Sequence, residues 1–184
     1  MVKLHNIDEI LTAIDWSNKT LALIGRGKEN NKYIYNDKVV TFCVNDSVIF
    51  YPNPKWTVII EGHWIKNFPP VNGIVENVCY LTKSAMKKYN LIAGCTPSLF
   101  LSFVTRYLPL KTIYMQGFSM DGISPPGDPH PYDWDRQVKA LSACFNEAIF
   151  KGINIGFVTY TYKMQKYRRF TPSEEHILKI NKTN

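Results

Sequence analysis

Six short, unbroken apolar runs, nearly all ending in a glycine, asparagine or aspartate, set the narrowest limit on the fold of this chain. They are Leu21-Ala22-Leu23-Ile24, Val39-Val40-Thr41-Phe42-Cys43-Val44, residues 56–60, Val78-Cys79-Tyr80-Leu81, Thr112-Ile113-Tyr114-Met115 and residues 153–160. A strand with one wet face alternates apolar and polar residues. A run of four to eight apolar residues bounded by turn signals is the mark of a strand buried on both faces, which in practice means a parallel sheet.

Helical patterns separate the later runs. Residues 97–107 open with Thr96-Pro97-Ser98, a cap residue followed by proline at the first helical position. Residues 134–151 follow Asp133 as cap and carry Val138, Leu141, Ala148 and Ile149 as an apolar stripe. Residues 7–14 form a further amphipathic stretch, with Asn6 as its cap. Strands alternating with helices make βαβ crossovers. The expectation is an α/β chain: a single three-layer Rossmann-like domain with a mostly parallel sheet of about six strands. It spans residues 1–162, and residues 163–184 form a basic extension with a short helical pattern at 173–180.

With 184 residues, one domain with a sizeable core is expected. The formal charge of +7 favours anionic partners, and much of it sits in Lys163, Lys166, Arg168, Arg169, Lys179 and Lys182. Phosphates and nucleotides fit that field. Nucleic acid is the less favoured partner, and a solvated basic tail accounts for the same residues. Cys43, Cys79, Cys95 and Cys144 form no CxxC pair, and the four histidines show no ligand spacing with them, so no metal site is expected. The start of the chain does not read as a secretory signal, and no run approaches the ~20 apolar residues of a membrane span. A cytoplasmic protein is expected.

In an open parallel sheet the ligand lies beyond the carboxyl ends of the strands, near the point where strand order reverses. The strand-end residues are accordingly the candidate binders: Gly25, Arg26 and Gly27; Asn45 and Asp46; Gly94, Thr96 and Ser98; Gly117 and Asp121. The glycines would let backbone amides approach a phosphate, though a plain tight turn explains them equally. Thr96 and Ser98 serve a helix cap or a phosphate. Asn45 and Asp46 serve a ribose or an Asx turn. The loop at 124–133 holds four prolines. Within it His130, close to Asp128 and Asp133, has the residue type and partner of a general base near neutrality. His63 beside Glu61 is the competing base, and Trp64 and Trp134 are candidate walls.

These motifs resemble those of the bacterial sialyltransferases of glycosyltransferase family 42, and of Rossmann-like phage and bacterial proteins similar to hydroxymethylpterin pyrophosphokinase. The match rests on Ile24-Gly25-Arg26-Gly27, Cys43-Val44-Asn45-Asp46, the Gly94–Ser98 turn and the stretch Lys111-Thr112-Ile113-Tyr114-Met115-Gln116-Gly117-Phe118-Ser119. Lys28-Glu29-Asn30 replaces the family's Gly-Pro-Ser, and Ser119 stands where the family has aspartate. The resemblance implies a metal-independent transferase with a nucleotide-sugar donor such as a CMP-sugar, a glycan or small-molecule acceptor, His130 as base and no obligatory cofactor. A nucleotide-binding protein without chemistry, such as a phage-type sponge or regulator, and another nucleotide-processing enzyme, an N-glycosidase or pyrophosphokinase, are the rival expectations.

Overall fold

The computed structural model describes residues 2–52, 54–60, 74–120 and 133–181. The apolar runs become the parallel strands they predict: β2 (Thr20–Ile24), β4 (Val39–Val44), β5 (Trp56–Ile60), β6 (Asn77–Leu81), β7 (Thr112–Gln116) and β8 (Asn154–Phe157). A seventh, β1 (Lys3–Asn6), joins at the edge, and the order is β1-β6-β5-β4-β2-β7-β8 with every pairing parallel. The chain is an α/β protein built on a parallel sheet. β3 (Tyr33–Tyr35) and β9 (Ile177–Ile180) form a separate antiparallel pair.

The strands inside the edge strand β1 alternate their side chains between two apolar layers, as the period of two requires. Leu21, Leu23, Phe42, Val44, Val58, Ile113 and Met115 point to one face. There they meet α1 (Ile10–Ala13), α2 (Lys83–Lys88), α3 (Thr96–Tyr107) and α4 (Trp134–Phe150). Ala22, Ile24, Cys43, Ile59, Val78 and Tyr114 point to the other, where β3 and β9 supply the cover with Tyr33, Tyr35 and Ile177, joined by Tyr51 from the turn after β4. Among the described residues the second outer layer is therefore a small sheet of tyrosines, not a layer of helices.

Residues 163–181 fold back on the body. Met164 is fully buried and Tyr167 nearly so. The Phe157 amide donates to Arg168 O at 3.0 Å and the Phe170 amide to Phe157 O at 2.8 Å, so the segment lies along the free edge of β8. A β-carbon at Gly156 would stand 2.5 Å from Arg168 O. The helical pattern read at 173–180 is a 3₁₀ turn, Glu174–His176, followed by β9. The partner strand at Tyr33–Tyr35 overrides the local pattern.

α3 and α4 are clamped at their carboxyl ends. Arg106 grips Glu147 with two parallel bonds, Nε to Oε1 at 2.7 Å and an NH2 to Oε2 at 2.8 Å. This fork geometry is the strong form of a charge pair. The Arg106 hydrogen bonds hold the Glu147 carboxyl below its ordinary range against the opposing effect of burial. A depressed folded-state value means stability present above the unfolded carboxylate range and lost as pH falls through the folded value. Glu147→Gln is expected to cost about 1–2 kcal/mol at neutral pH. The loss should shrink as pH is lowered from about 5 toward 3, which urea denaturation across that range would measure.

Candidate functional site

The chain runs β2, β4, β5, β6 outward on one side of the sheet, then crosses back to place β7 and β8 on the other side of β2. Strand order reverses between β2 and β7, whose ends lie level: Ile24 faces both Cys43 and Gln116. A cavity of about 670 Å³ opens at these carboxyl ends, on the helical face. That is the location and the size of a small-molecule site in such a sheet.

Four of the loops singled out by sequence meet there. Gly25, Arg26, Gly27, Asn45, Gly94, Thr96 and Gly117 all line the cavity. Ser98 does not. Its hydroxyl accepts from the Cys95 amide at 3.1 Å and lies 2.9 Å from both Ile92 O and Cys95 O, so it organises the turn ahead of α3. The side chain of Asp46 and the whole of Asp121, Asp128 and His130 lie outside the described residues, as do Glu61, His63 and Trp64.

The glycines act differently from a phosphate loop. Gly25 N donates to Gln116 O at 2.7 Å and Gly27 N to Gly117 O at 2.6 Å. The two loops thus continue the β2–β7 pairing past the strands, and both amides are already engaged. A β-carbon would lie 2.5 Å from Gly117 O at Gly25 and 2.6 Å from it at Gly27. The absence of side chains there serves backbone-to-backbone approach. Arg26 and Lys28, both on the cavity wall, are the cationic groups of this loop.

The start of α3 offers less than a bare helix end. Pro97 has no amide hydrogen, the Leu99 amide donates to Cys95 O at 3.1 Å, and the Cys95 side chain takes the Ser98 amide. Thr96, with its own amide and hydroxyl, is the polar residue this turn gives the cavity. Cys95 also lines the cavity, and burial pushes its thiol up, away from the reactive thiolate.

Asn45 sits in the left-handed region at φ +52°, which asparagine tolerates. Two buried hydroxyls hold it. Ser47 accepts from Val44 N at 2.8 Å and donates to Ile24 O at 2.7 Å, bridging the diverging ends of β2 and β4. Thr57 lies 3.0 Å from Asn45 O. The Asn45 Oδ1 is buried with no hydrogen-bond partner among the described residues. On the opposite side, Gln116 at the end of β7 is fully buried. Its amide donates to Asn30 O at 2.7 Å and Tyr33 O at 3.0 Å, and Tyr35 OH donates to its Oε1 at 3.0 Å.

Sequence reasoning missed Phe50 and Gln137 as wall residues, whereas Phe118 and Met120 belong to the strand-end stretch after β7 and Trp134 was a candidate wall, and all three line the cavity. Gln137 lies one turn inside α4, which β-strand ends alone do not reveal. A β-carbon at Gly94 would run into that of Ala140, which brings the first turns of α4 against the α3 turn. Among the described residues, no helix is long and apolar enough to cross a membrane.

No known protein family matches the sequence, and no curated protein matches it. Among solved structures, an α-2,3-sialyltransferase from Campylobacter jejuni in apo form is similar over 92% of each chain, at 12% identity and a TM-score of 0.48. Identity this low and a superposition this loose assign no activity to the chain.

Proposed function

We propose that the cavity binds a nucleotide-sugar and that the chain is a cytoplasmic, glycosyltransferase-like enzyme passing the sugar to an acceptor hydroxyl. The observation that carries this reading is the convergence of Arg26, Asn45, Thr96 and Gly117 on one cavity at the point where strand order reverses. Arg26 and Lys28 would offset the charge of the donor phosphate, in place of the glycine amides. The Asn45 Oδ1, without a hydrogen-bond partner among the described residues, would accept from a ligand amine or hydroxyl. Val44, Ile60, Phe118 and Leu141 give apolar surface against which a base or sugar face can lie.

The base is proposed to be His130, oriented by Asp128. It would take the acceptor's proton as the acceptor oxygen bonds to the anomeric carbon and the nucleotide phosphate leaves with the electron pair. Calorimetric titration with a panel of nucleotides, followed by a product assay with a CMP-sugar, tests the whole reading. His130→Ala is expected to lower turnover about a hundredfold with donor affinity retained. Full activity in that variant assigns the base elsewhere.

One observation favours a second reading, a nucleotide-binding protein without transfer chemistry. Among the described residues, the cavity wall carries no carboxylate and no imidazole. Tight nucleotide binding with no product in any donor assay would select it. Failure to bind any nucleotide would end both readings.

A further inference from the structure

The segment following β8 has a pattern the cavity does not use. Thr161, Met164 and Tyr167 are buried and Phe170 is half-buried, one residue in every three. Tyr160 before them and the residues between them, Tyr162, Lys163, Gln165, Lys166, Arg168 and Arg169, are exposed. The buried set fastens a strap to the body, and the outer surface of that strap is cationic, aromatic or amide throughout. It contains no acidic residue.

The strap is held in place at several points. Tyr162 N donates to Ser119 O at 2.6 Å, which ties it to the loop that lines the cavity. Tyr160 N lies 3.5 Å from Glu29 Oε2, and the Tyr160 hydroxyl accepts from Gln165 Nε2 at 3.0 Å. The Phe157–Arg169 bridge fixes the far end on β8. Two carboxylates lie near. Asp135 pairs with Lys163 at 3.3 Å, and Glu29 pairs with Lys32 at 3.3 Å. Lys166 and Arg168 lie over the rings of Tyr167 and Phe170, and no carboxylate pairs with Lys166, Arg168 or Arg169 among the described residues.

Two tyrosine rings stand out from this surface, Tyr160 at 48% and Tyr162 at 59% exposure. Thr159 and Thr161 are buried between and before them, the alternation of an extended chain. Two extended residues rise roughly 6.6 Å, so the two rings are spaced for neighbouring bases of a stretched strand, and the turn at residues 163–166 that follows carries Lys163 and Lys166 for its phosphates. Cations alone would suit any polyanion. Cations beside exposed aromatic rings are the arrangement that single-stranded nucleic acid selects, because each base has a face to stack.

We infer that the strap at residues 160–169 is a docking surface for single-stranded nucleic acid, separate from the cavity and standing or falling independently of what the cavity binds. The test is fluorescence anisotropy of a labelled oligo(dT) of about fifteen nucleotides with the full chain, titrated at several salt concentrations. Saturable binding with a log K against log salt slope of about −2 to −3 is expected, three or four phosphates being neutralised. Lys166→Gln with Arg169→Gln should flatten that slope by about 1.4. Tyr160→Ala and Tyr162→Ala should each weaken binding about tenfold while leaving the slope unchanged. All four positions are exposed, so an unchanged melting temperature confirms that the variants are folded.

Absence of saturable binding at low salt overturns the inference. So does binding that survives all four substitutions. Heparin bound as tightly, with no dependence on the two tyrosines, would assign the strap to acidic polysaccharide instead. Retention by phosphatidylserine vesicles with the oligonucleotide silent would assign it to a lipid surface. Either outcome replaces the proposal.

Discussion

Gly117→Ala is expected to destabilise the protein by about 3–4 kcal/mol, lowering the melting temperature by roughly 10 °C for a chain of this size. Two costs add. Gly117 has φ +72°, a left-handed conformation that costs an alanine of the order of 1 kcal/mol. The added methyl would also stand 2.6 Å from the Asn30 β-carbon and 2.8 Å from Gly25 O. Backbone on one side and a buried residue on the other leave it nowhere to go, since Asn30 is itself enclosed. Gly152 separates the two costs. It has φ +76° and nothing within 4 Å of a built β-carbon. Gly152→Ala should therefore cost only the conformational part, about 1 kcal/mol. Equal losses in the two variants, measured by thermal and urea denaturation, would show that the junction of the two loops is looser than described. Because Gly117 O accepts the Gly27 amide, the alanine variant should also lose ligand affinity at temperatures where it remains folded.

The second large effect belongs to Gln116→Leu, expected to cost about 4 kcal/mol. The side chains are close in volume, so the loss is one of hydrogen bonding, not of packing. The substitution strips the Asn30 and Tyr33 carbonyls of the donor they share and leaves the Tyr35 hydroxyl facing a methyl group. All belong to buried residues, where an unmet polar group costs about 1–3 kcal/mol. Burial already pushes the Tyr35 hydroxyl far above its ordinary range, so it cannot escape by ionising. Gln116→Glu is the informative companion. It keeps the shape and the acceptor for Tyr35 but replaces the amide donor with a carboxylate facing two carbonyls. It should be at least as damaging at neutral pH and recover as pH falls and the carboxyl takes up a proton.

The sheet was legible because burial on both faces leaves an unmistakable trace, an apolar run with no polar alternation. β1 left no such trace. Lys3-Leu4-His5-Asn6 is an edge strand, paired among the described residues only with β6, and Leu4 is more than half exposed. β9 was misread for a related reason. Ile177, Leu178 and Ile180 fit a helix face as readily as a strand, and the choice is made by Tyr33–Tyr35, far away in sequence. The same distinction runs through the site. Residues at strand ends were found, since position after a strand is a local fact. What their atoms do was not, because the partners of the Gly25 and Gly27 amides come from a different loop. Phe50 and Gln137 reach the cavity from elements whose placement depends on how the turn after β4 and the start of α4 pack. Neither is a local property.

The pairing of β3 with β9 bears on how the molecule is made. Tyr33 emerges from the ribosome early, and its partner Ile180 follows only after every strand of the large sheet has been synthesised. In the interval this side of the growing sheet has Tyr33, Tyr35 and Tyr51 over it but not β9, and an incomplete chain presents the unpaired edge of β3 to whatever else is nearby. Translation stalled before residue 177 should thus yield a species that recruits holding chaperones, while a chain carried past residue 181 should release them.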